Sequence, residues 1–373
     1  MFDQIRDDTI YIMLYAVVTA MAMMASCYLL FRRANAIAPD ITPPLRLRRW
    51  TAAFFAAFAL NHVWYMPLFF LTSAEDTRLF DLIGALLDSM TIIPLLIVVL
   101  FAMLQDRQRP LWIVAAMMVP IIVGNAFSVA TLSYDLLPIL YVYTLSMCIG
   151  LIIYMVYALR QYGRWLRENY ADLEHKEVWQ SFVVLAISML AFVIYALVSE
   201  GVIYQYAMQV IIIMLICYLL WRVETLSDLD ISQQQSQLVA EPAAIEPEDV
   251  DNYKLPQTIH DKIGTLLQQH CIDTRLYLQH DLTIIQLSKA IGTNRLYLSQ
   301  YFSSQGLTYN TYINNLRINH FISLYHKAVS TQHNFTAKQL AFESGYRSYN
   351  TFSLVFKQLK GQTVTAWMRD TAS

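Results

Sequence analysis

Seven long apolar stretches follow one another along the chain, at residues 9–31, 50–71, 82–104, 111–132, 136–159, 178–199 and 202–221. A helix needs about 20 largely apolar residues to cross the hydrocarbon core of a bilayer, so each stretch predicts one transmembrane helix. Only Glu200-Gly201 separates the last two, which predicts a very tight turn there. Residues 227–251 are rich in Gln, Glu, Asp, Ser and Pro and poor in aromatics, the composition of a flexible acidic tether. From Pro256 the pattern changes to short amphipathic helices, with Ile259, Ile263, Leu266 and Leu267 recurring at helical spacing. The prediction is an all-α chain in three parts: a seven-helix membrane bundle at 1–226, a linker at 227–255 and a helical domain at 256–373.

The helical domain repeats a pattern. In DLTIIQLSKAIGTNRLYLSQYF, Thr283 suits the cap of a helix running to about Ile291. Gly292 suits the left-handed residue that ends it, and Asn294 the cap of the next helix. Leu287 and Ile291 would share a core with Leu298 and Phe302, and the small Ser288 lets the two helices cross closely. That is helix-turn-helix geometry, in which the second helix enters the DNA major groove. A second copy occupies 335–361: Leu340-Ala341 replaces Leu287-Ser288, Gly345 replaces Gly292, and Phe352 and Phe356 anchor the second helix. Between them lies a long helix with Tyr312, Ile313, Leu316, Phe321 and Leu324 as its apolar positions. Two units on one rigid helix can reach successive major grooves on one face of a duplex.

Several segments in this order and spacing resemble the DNA-binding domain of the AraC/XylS family of bacterial transcription regulators. The carrying residues are Leu282-Thr283 with Leu287; Asn294-Arg295 with Tyr297-Leu298-Ser299; Tyr312-Ile313 with Leu316-Arg317-Ile318; Ala341 with Gly345-Tyr346; and Phe352 with Phe356-Lys357 and Gly361. The resemblance covers under a third of the chain and does not extend to the apolar part. It implies a sequence-specific regulator that binds double-stranded DNA and is not an enzyme. The expected base contacts face away from the shared cores: Arg295, Ser299 and Gln300 on the first recognition helix, and Arg347, Tyr349, Asn350 and Ser353 at or near the start of the second. Arg reads guanine bidentately and Asn or Gln reads adenine. Lys357 and Lys360 would hold phosphates, which position the protein without reading sequence. Arg317 is expected to brace the connecting helix. The family often carries positive charge where this chain has Gln300, Ser303 and Leu354, which implies a weaker grip on phosphate.

Charge sharpens this division. Of the whole chain 14% is charged and 57% hydrophobic, yet from Pro256 onward there are 11 Lys+Arg against 5 Asp+Glu, a net of +6. That is modest for a DNA-binding unit, so binding as a homodimer is expected. Among the apolar stretches, the segments after the first, third, fifth and seventh carry 12 Lys+Arg and the alternate segments only Arg6 and Arg78. The excess marks the cytoplasmic side, which predicts an outside N-terminus and a C-terminal domain in the cytoplasm of a bacterial inner membrane. The first stretch has acids before it and no basic lead, so a cleaved signal peptide is not expected. The four cysteines have no paired spacing, and neither a disulfide framework nor a metal or other cofactor is expected. No phosphate loop, HExxH pair or GxSxG turn occurs, and no lysine lies in any apolar stretch, so a retinal Schiff base is excluded. LEHKE around His175 reads as a solvated loop.

Polar residues inside membrane spans are costly and are functional candidates by default. Asn61 and His62, Asp88, Asn125, and Tyr195, Glu200, Gln205 and Gln209 fall mostly in the outer half of the predicted bundle. His62, Asp88, Asn125, Tyr195 and Glu200 are the candidate pocket for a small-molecule signal; interhelical hydrogen bonding is the alternative. The expected whole is a membrane-embedded one-component regulator. Two other readings stay open: an anchored regulator controlled by a partner membrane protein, and a transporter or membrane enzyme whose C-terminal domain binds protein.

Overall fold

The structure is a computed structural model that describes residues 8–198, 202–229, 257–332 and 334–372. Among the described residues there are helices and turns, no strand, and one isolated antiparallel bridge, between Tyr170 and Thr283. Chain contacts divide them into two units. The first runs to Tyr162 and resumes at Val178; the second joins Gly163–Glu177 to the C-terminal part.

The first unit holds α1 (Thr9–Phe31), α2 (Leu45–Tyr65), α3 (Ala74–Met90), α4 (Ile92–Met103), α5 (Trp112–Thr131), most of α6 (Leu137–Asn169), α7 (Trp179–Val198) and α8 (Val202–Thr225). Among the described residues six stretches are long and apolar enough to cross a membrane: α1, α2 with its following turn, α3 and α4 together, α5, α6 and α8. In α7 the apolar part among the described residues is Trp179–Ser188. The span expected over 82–104 is found within Ala74–Met103, with a one-residue break at Thr91 between α3 and α4. The cause is Pro94, whose ring would clash with the carbonyl of Met90 four residues earlier. The ends of two other helices also moved. α2 begins at Leu45, so Arg46, Arg48 and Arg49 lie on the helix, and α6 continues ten residues past 159 to Asn169. Arg, Leu and Gln are good helix formers, and an apolar count does not register them.

In this unit α1 packs along α2 and α8, α2 along α4, and α3 along α5. The first and last helices are tied by charge. Arg32 Nε donates to Glu224 Oε1 at 2.9 Å, and Nη2 lies 2.9 Å from Oε2, with both side chains buried. Asn35 adds a bond from Nδ2 to the carbonyl of Glu224 at 2.8 Å.

The second unit contains α9 (Gln257–Leu267), α10 (Ile284–Ala290), α11 (Arg295–Ser304), α12 (Tyr309–Ser330), α13 (Ala337–Glu343), α14 (Tyr349–Lys360) and α15 (Val364–Ala372). It has two apolar cores. Ile263, Leu267, Leu282, Leu287, Ile291, Leu298 and Phe302 build the first with Tyr309 and Ile313 of α12. Ile318, Phe321 and Tyr325 of the same helix build the second with Leu340, Ala341, Phe352 and Phe356. α12 thus belongs to both, which fixes one core against the other.

The LEHKE stretch around His175 is only partly solvated: Leu173, Glu174 and His175 are half-buried, Glu177 is exposed and Lys176 is buried, while Tyr170, Ala171 and Asp172 before it are buried and Ala171 sits in the first core. The backbone polar groups of Ala171 find protein partners: its N–H donates to the Leu282 carbonyl at 3.2 Å, and Asn310 Nδ2 donates to its carbonyl at 2.7 Å. The linker expected at 227–255 lies outside the described residues beyond its first three.

Candidate nucleic-acid interface

Each helix-turn-helix is built by local hydrogen bonds. Thr283 Oγ1 accepts from the Gln286 amide at 3.2 Å, while Gln286 Oε1 accepts from the Thr283 amide at 2.9 Å. This reciprocal pair satisfies two of the donors left over at a helix start. Thr336 and Gln339 repeat it at α13, at 3.1 and 3.0 Å. The turn after α10 passes through Gly292 at φ +68 and the turn after α13 through Gly345 at φ +88. Asn294 then caps α11, its Oδ1 accepting from the Tyr297 amide at 2.8 Å, and Ser348 caps α14 through the Thr351 amide at 3.2 Å. Ser288 is buried at the crossing of α10 and α11. Every cap, hinge and core position expected for the two units is found in its place.

Gly345 carries a further demand. A Cβ there would lie 2.8 Å from the Leu278 backbone, whereas a Cβ at Gly292 would meet open space. The second turn therefore presses on the 276–278 turn, and His280 Nδ1 lies 3.1 Å from the Gly345 carbonyl. Arg317, 1% exposed, ties the same region together: Nε donates to the Tyr277 carbonyl at 2.8 Å and Nη2 to the Gln279 carbonyl at 2.7 Å. Its guanidinium also lies over the Tyr346 ring, 5.5 Å from the centroid. It braces the joint between the two cores.

The residues proposed to read DNA fall into three groups. Arg295, Asn350, Lys357 and Lys360 are exposed, and Ser299 and Ser353 are half-buried on α11 and α14. Gln300 is half-buried, and its Oε1 is shut from solvent without a hydrogen-bond partner. Tyr349 leans on the second core, its ring 5.7 Å from that of Phe352. Arg347 is exposed but occupied: its Nη1 lies 3.2 Å from Asp281 Oδ2. Burial alone would raise the Asp281 carboxyl, but Lys176, Arg347 and His280 outweigh it and hold the group below the usual carboxylate range. Two exposed leucines join these residues, of which the sequence had marked only Leu354, and that as a lost charge. Leu296 on α11 and Leu354 on α14 are exposed, at 39% and 60%. An apolar side chain on a recognition helix suits a thymine methyl. The signal lay in the periodicity, since neither leucine falls on the core stripe of its helix.

The polar residues of the first unit are bonded to one another across helices. Asn61 Nδ2 donates to Asp88 Oδ1 at 2.8 Å and to Thr91 Oγ1 at 3.0 Å, and Tyr65 OH donates to Asp88 Oδ2 at 2.8 Å. His62 stacks on Tyr15 with ring centroids 4.2 Å apart, and its Nδ1 lies 3.3 Å from Thr19 Oγ1. Asn125 Nδ2 donates to the Ala85 carbonyl at 3.3 Å. Asn61 and His62 are neighbours on α2, so the Asp88 group and the His62 group adjoin, while Asn125 bonds elsewhere on α3. Glu200 and the side chain of Tyr195 lie outside the described residues.

Among the described residues no cluster of His, Cys, Asp and Glu has the form of a metal site. Residues 287–370 match a family model described as a helix-turn-helix domain. No curated protein and no solved structure matches the chain. The matched span takes in both recognition helices and the connecting helix, and it supports the AraC/XylS-type reading of this unit as a DNA-binding domain.

Proposed function

We propose that the chain is a membrane-embedded one-component transcription regulator. In this reading α1 to α8 lie in a bacterial inner membrane with the N-terminus outside. The second unit hangs in the cytoplasm and binds specific duplex DNA as a homodimer. The carrying observation is the repeated construction of the second unit, with two capped recognition helices held on the single rigid helix α12 and matched by the helix-turn-helix family model. Arg295, Ser299, Asn350 and Ser353 read bases, and Lys357 and Lys360 hold phosphates. The apolar helices supply the signal input. The bonded group of Asn61, Tyr65, Asp88 and Thr91 is the place where a small molecule or a helix shift would act, because breaking it exposes a carboxylate to an apolar surround.

Mapping chromosomal binding sites of the full chain in its own membrane, followed by affinity measurement with the recovered duplex, tests this. Arg295→Ala should weaken specific binding about tenfold or more, the cost of one lost bidentate base contact. Unchanged affinity, or no site on the chromosome, would remove the regulator reading. Asp88→Asn, which keeps the side-chain shape but replaces one of the two accepting oxygens with a donor and removes the carboxylate, should alter signal response without altering DNA affinity in detergent. A second reading, in which the helices only anchor, is tested by replacing α1–α8 with one unrelated membrane helix. Retained response would favour control by a partner membrane protein.

A further inference from the structure

The segment between α6 and α7 is docked on the DNA-reading unit, and it meets that unit at the second recognition helix. Its apolar foot is Ala171, 2% exposed in the first core. Around this foot Tyr170 bridges Thr283, and the Ala171 carbonyl accepts from Asn310 Nδ2 at 2.7 Å and from Asn314 Nδ2 at 3.3 Å. Further along, Lys176 Nζ lies 3.0 Å from Asp281 Oδ1, and the other oxygen of Asp281 holds Arg347 Nη1 at 3.2 Å. Glu174 Oε2 accepts from Thr351 Oγ1 at 2.8 Å, in the first turn of α14.

The Glu174 contact occupies a group that a duplex would use, and Lys176 is linked to a second, Arg347, through Asp281. Thr351 and Arg347 stand at the start of the recognition helix, where backbone amides and cations receive phosphate. Glu174 of the segment sets a carboxylate beside that spot, while Asp281, a residue of the DNA-reading unit itself, holds Arg347 with one oxygen and Lys176 of the segment with the other. A phosphate entering there meets like charge at hydrogen-bond range, which opposes binding. The foot is apolar and the far end is polar, so the far end can open first. The segment is also continuous with α6 and leads into α7, so a shift of either helix pulls on it directly.

We propose that residues 170–176 and duplex DNA compete for the start of the second recognition helix, and that release of this segment is the step by which the apolar helices control DNA binding. The proposal rests on the regulator reading given above.

The test uses the full chain in lipid nanodiscs and a duplex recovered by the chromosomal mapping. Hydrogen exchange should show residues 170–176 protected in the free protein, with faster exchange when the duplex is added. Lys176→Glu and Glu174→Gln should raise affinity at least fivefold. Ala171→Asp should do the same while removing protection from 170–176 and sparing 284–302. Three results would overturn competition. One is segment exchange that DNA leaves unchanged or slows. The second is a set of released variants whose affinity stays within twofold of the parent. The third is Ala171→Asp deprotecting 284–302 together with weaker binding by Glu174→Gln, which would make the segment a structural part of the first core. If no duplex binds the parent or any variant, the regulator reading fails and the proposal falls with it.

Discussion

Gly345 and Gly292 occupy matching turns, yet substitution should separate them. Both have positive φ, which costs an alanine about 1–2 kcal/mol. Only at Gly345 would the added methyl also strike backbone, at Leu278. Gly345→Ala should therefore lower the unfolding midpoint of the second unit distinctly more than Gly292→Ala, as read by denaturant titration in detergent. Equal shifts would show that the Leu278 turn yields freely. Cys271 gives a second test at this scale. It is 0% exposed, and burial pushes its thiol up to about 11. The thiolate is the reactive form, so peptide mapping after N-ethylmaleimide treatment at pH 7.5 should find Cys271 unmodified until the unit unfolds. The hinge and cap residues were legible in the sequence because their physics is local: a Thr or Asn three residues before its amide partner needs no distant help. Gln300 and Tyr349 were legible only as positions on a helix, since the inward turn of each depends on cores assembled from other elements.

At the scale of elements, α12 stands out because one side chain holds its two halves to a common turn. Arg317 donates two hydrogen bonds to backbone carbonyls, one of buried Tyr277 and one of exposed Gln279. Arg317→Met keeps much of the packing and leaves the buried Tyr277 carbonyl unpaired, at a cost on the order of 1–3 kcal/mol. The expected outcome is looser coupling of the cores, read as faster exchange in 276–279 and in 345–347 together. Faster exchange in one region alone would show that the brace acts on a single core. The bracing role was visible from the sequence, while its partners in the 276–279 turn were not. The break between α3 and α4 at Thr91 leaves the apolar pattern of the stretch unchanged, so hydropathy does not register it. The docking of 163–177 was not visible at all. Its partners, Leu282, Asn310 and Asn314, lie more than a hundred positions away, and its bonds are polar ones that leave no hydrophobic period.

For the whole molecule, the charge ledger predicts how binding responds to salt. Arg295, Arg347, Lys357 and Lys360 are the cations on or beside the recognition helices, and four released counterions give a log–log slope of about −4 per protomer and about −7 for a pair. Fluorescence anisotropy between 50 and 200 mM salt, at about these concentrations, checks this. A slope near −10 would mean that phosphates are held by surfaces other than these helices. Six of the seven expected apolar stretches are legible as long apolar helices among the described residues, in the expected order, because a minimum span length acts on every stretch alike.

The docked segment also carries a statement about topology. Residues 163–177 and the helix-turn-helix unit can touch only if they lie in the same aqueous compartment, and between them in the chain stand α7 and α8. A path that leaves one side and returns to it must cross an even number of times. If a bilayer encloses α8, it must therefore enclose α7 as well, although α7 shows the shorter apolar stretch among the described residues. Parity thus counts the crossings without reference to hydropathy. It also makes docking itself a check on biogenesis: a chain whose seventh helix failed to insert would carry its DNA-reading unit on the far side of the membrane from the segment that holds it.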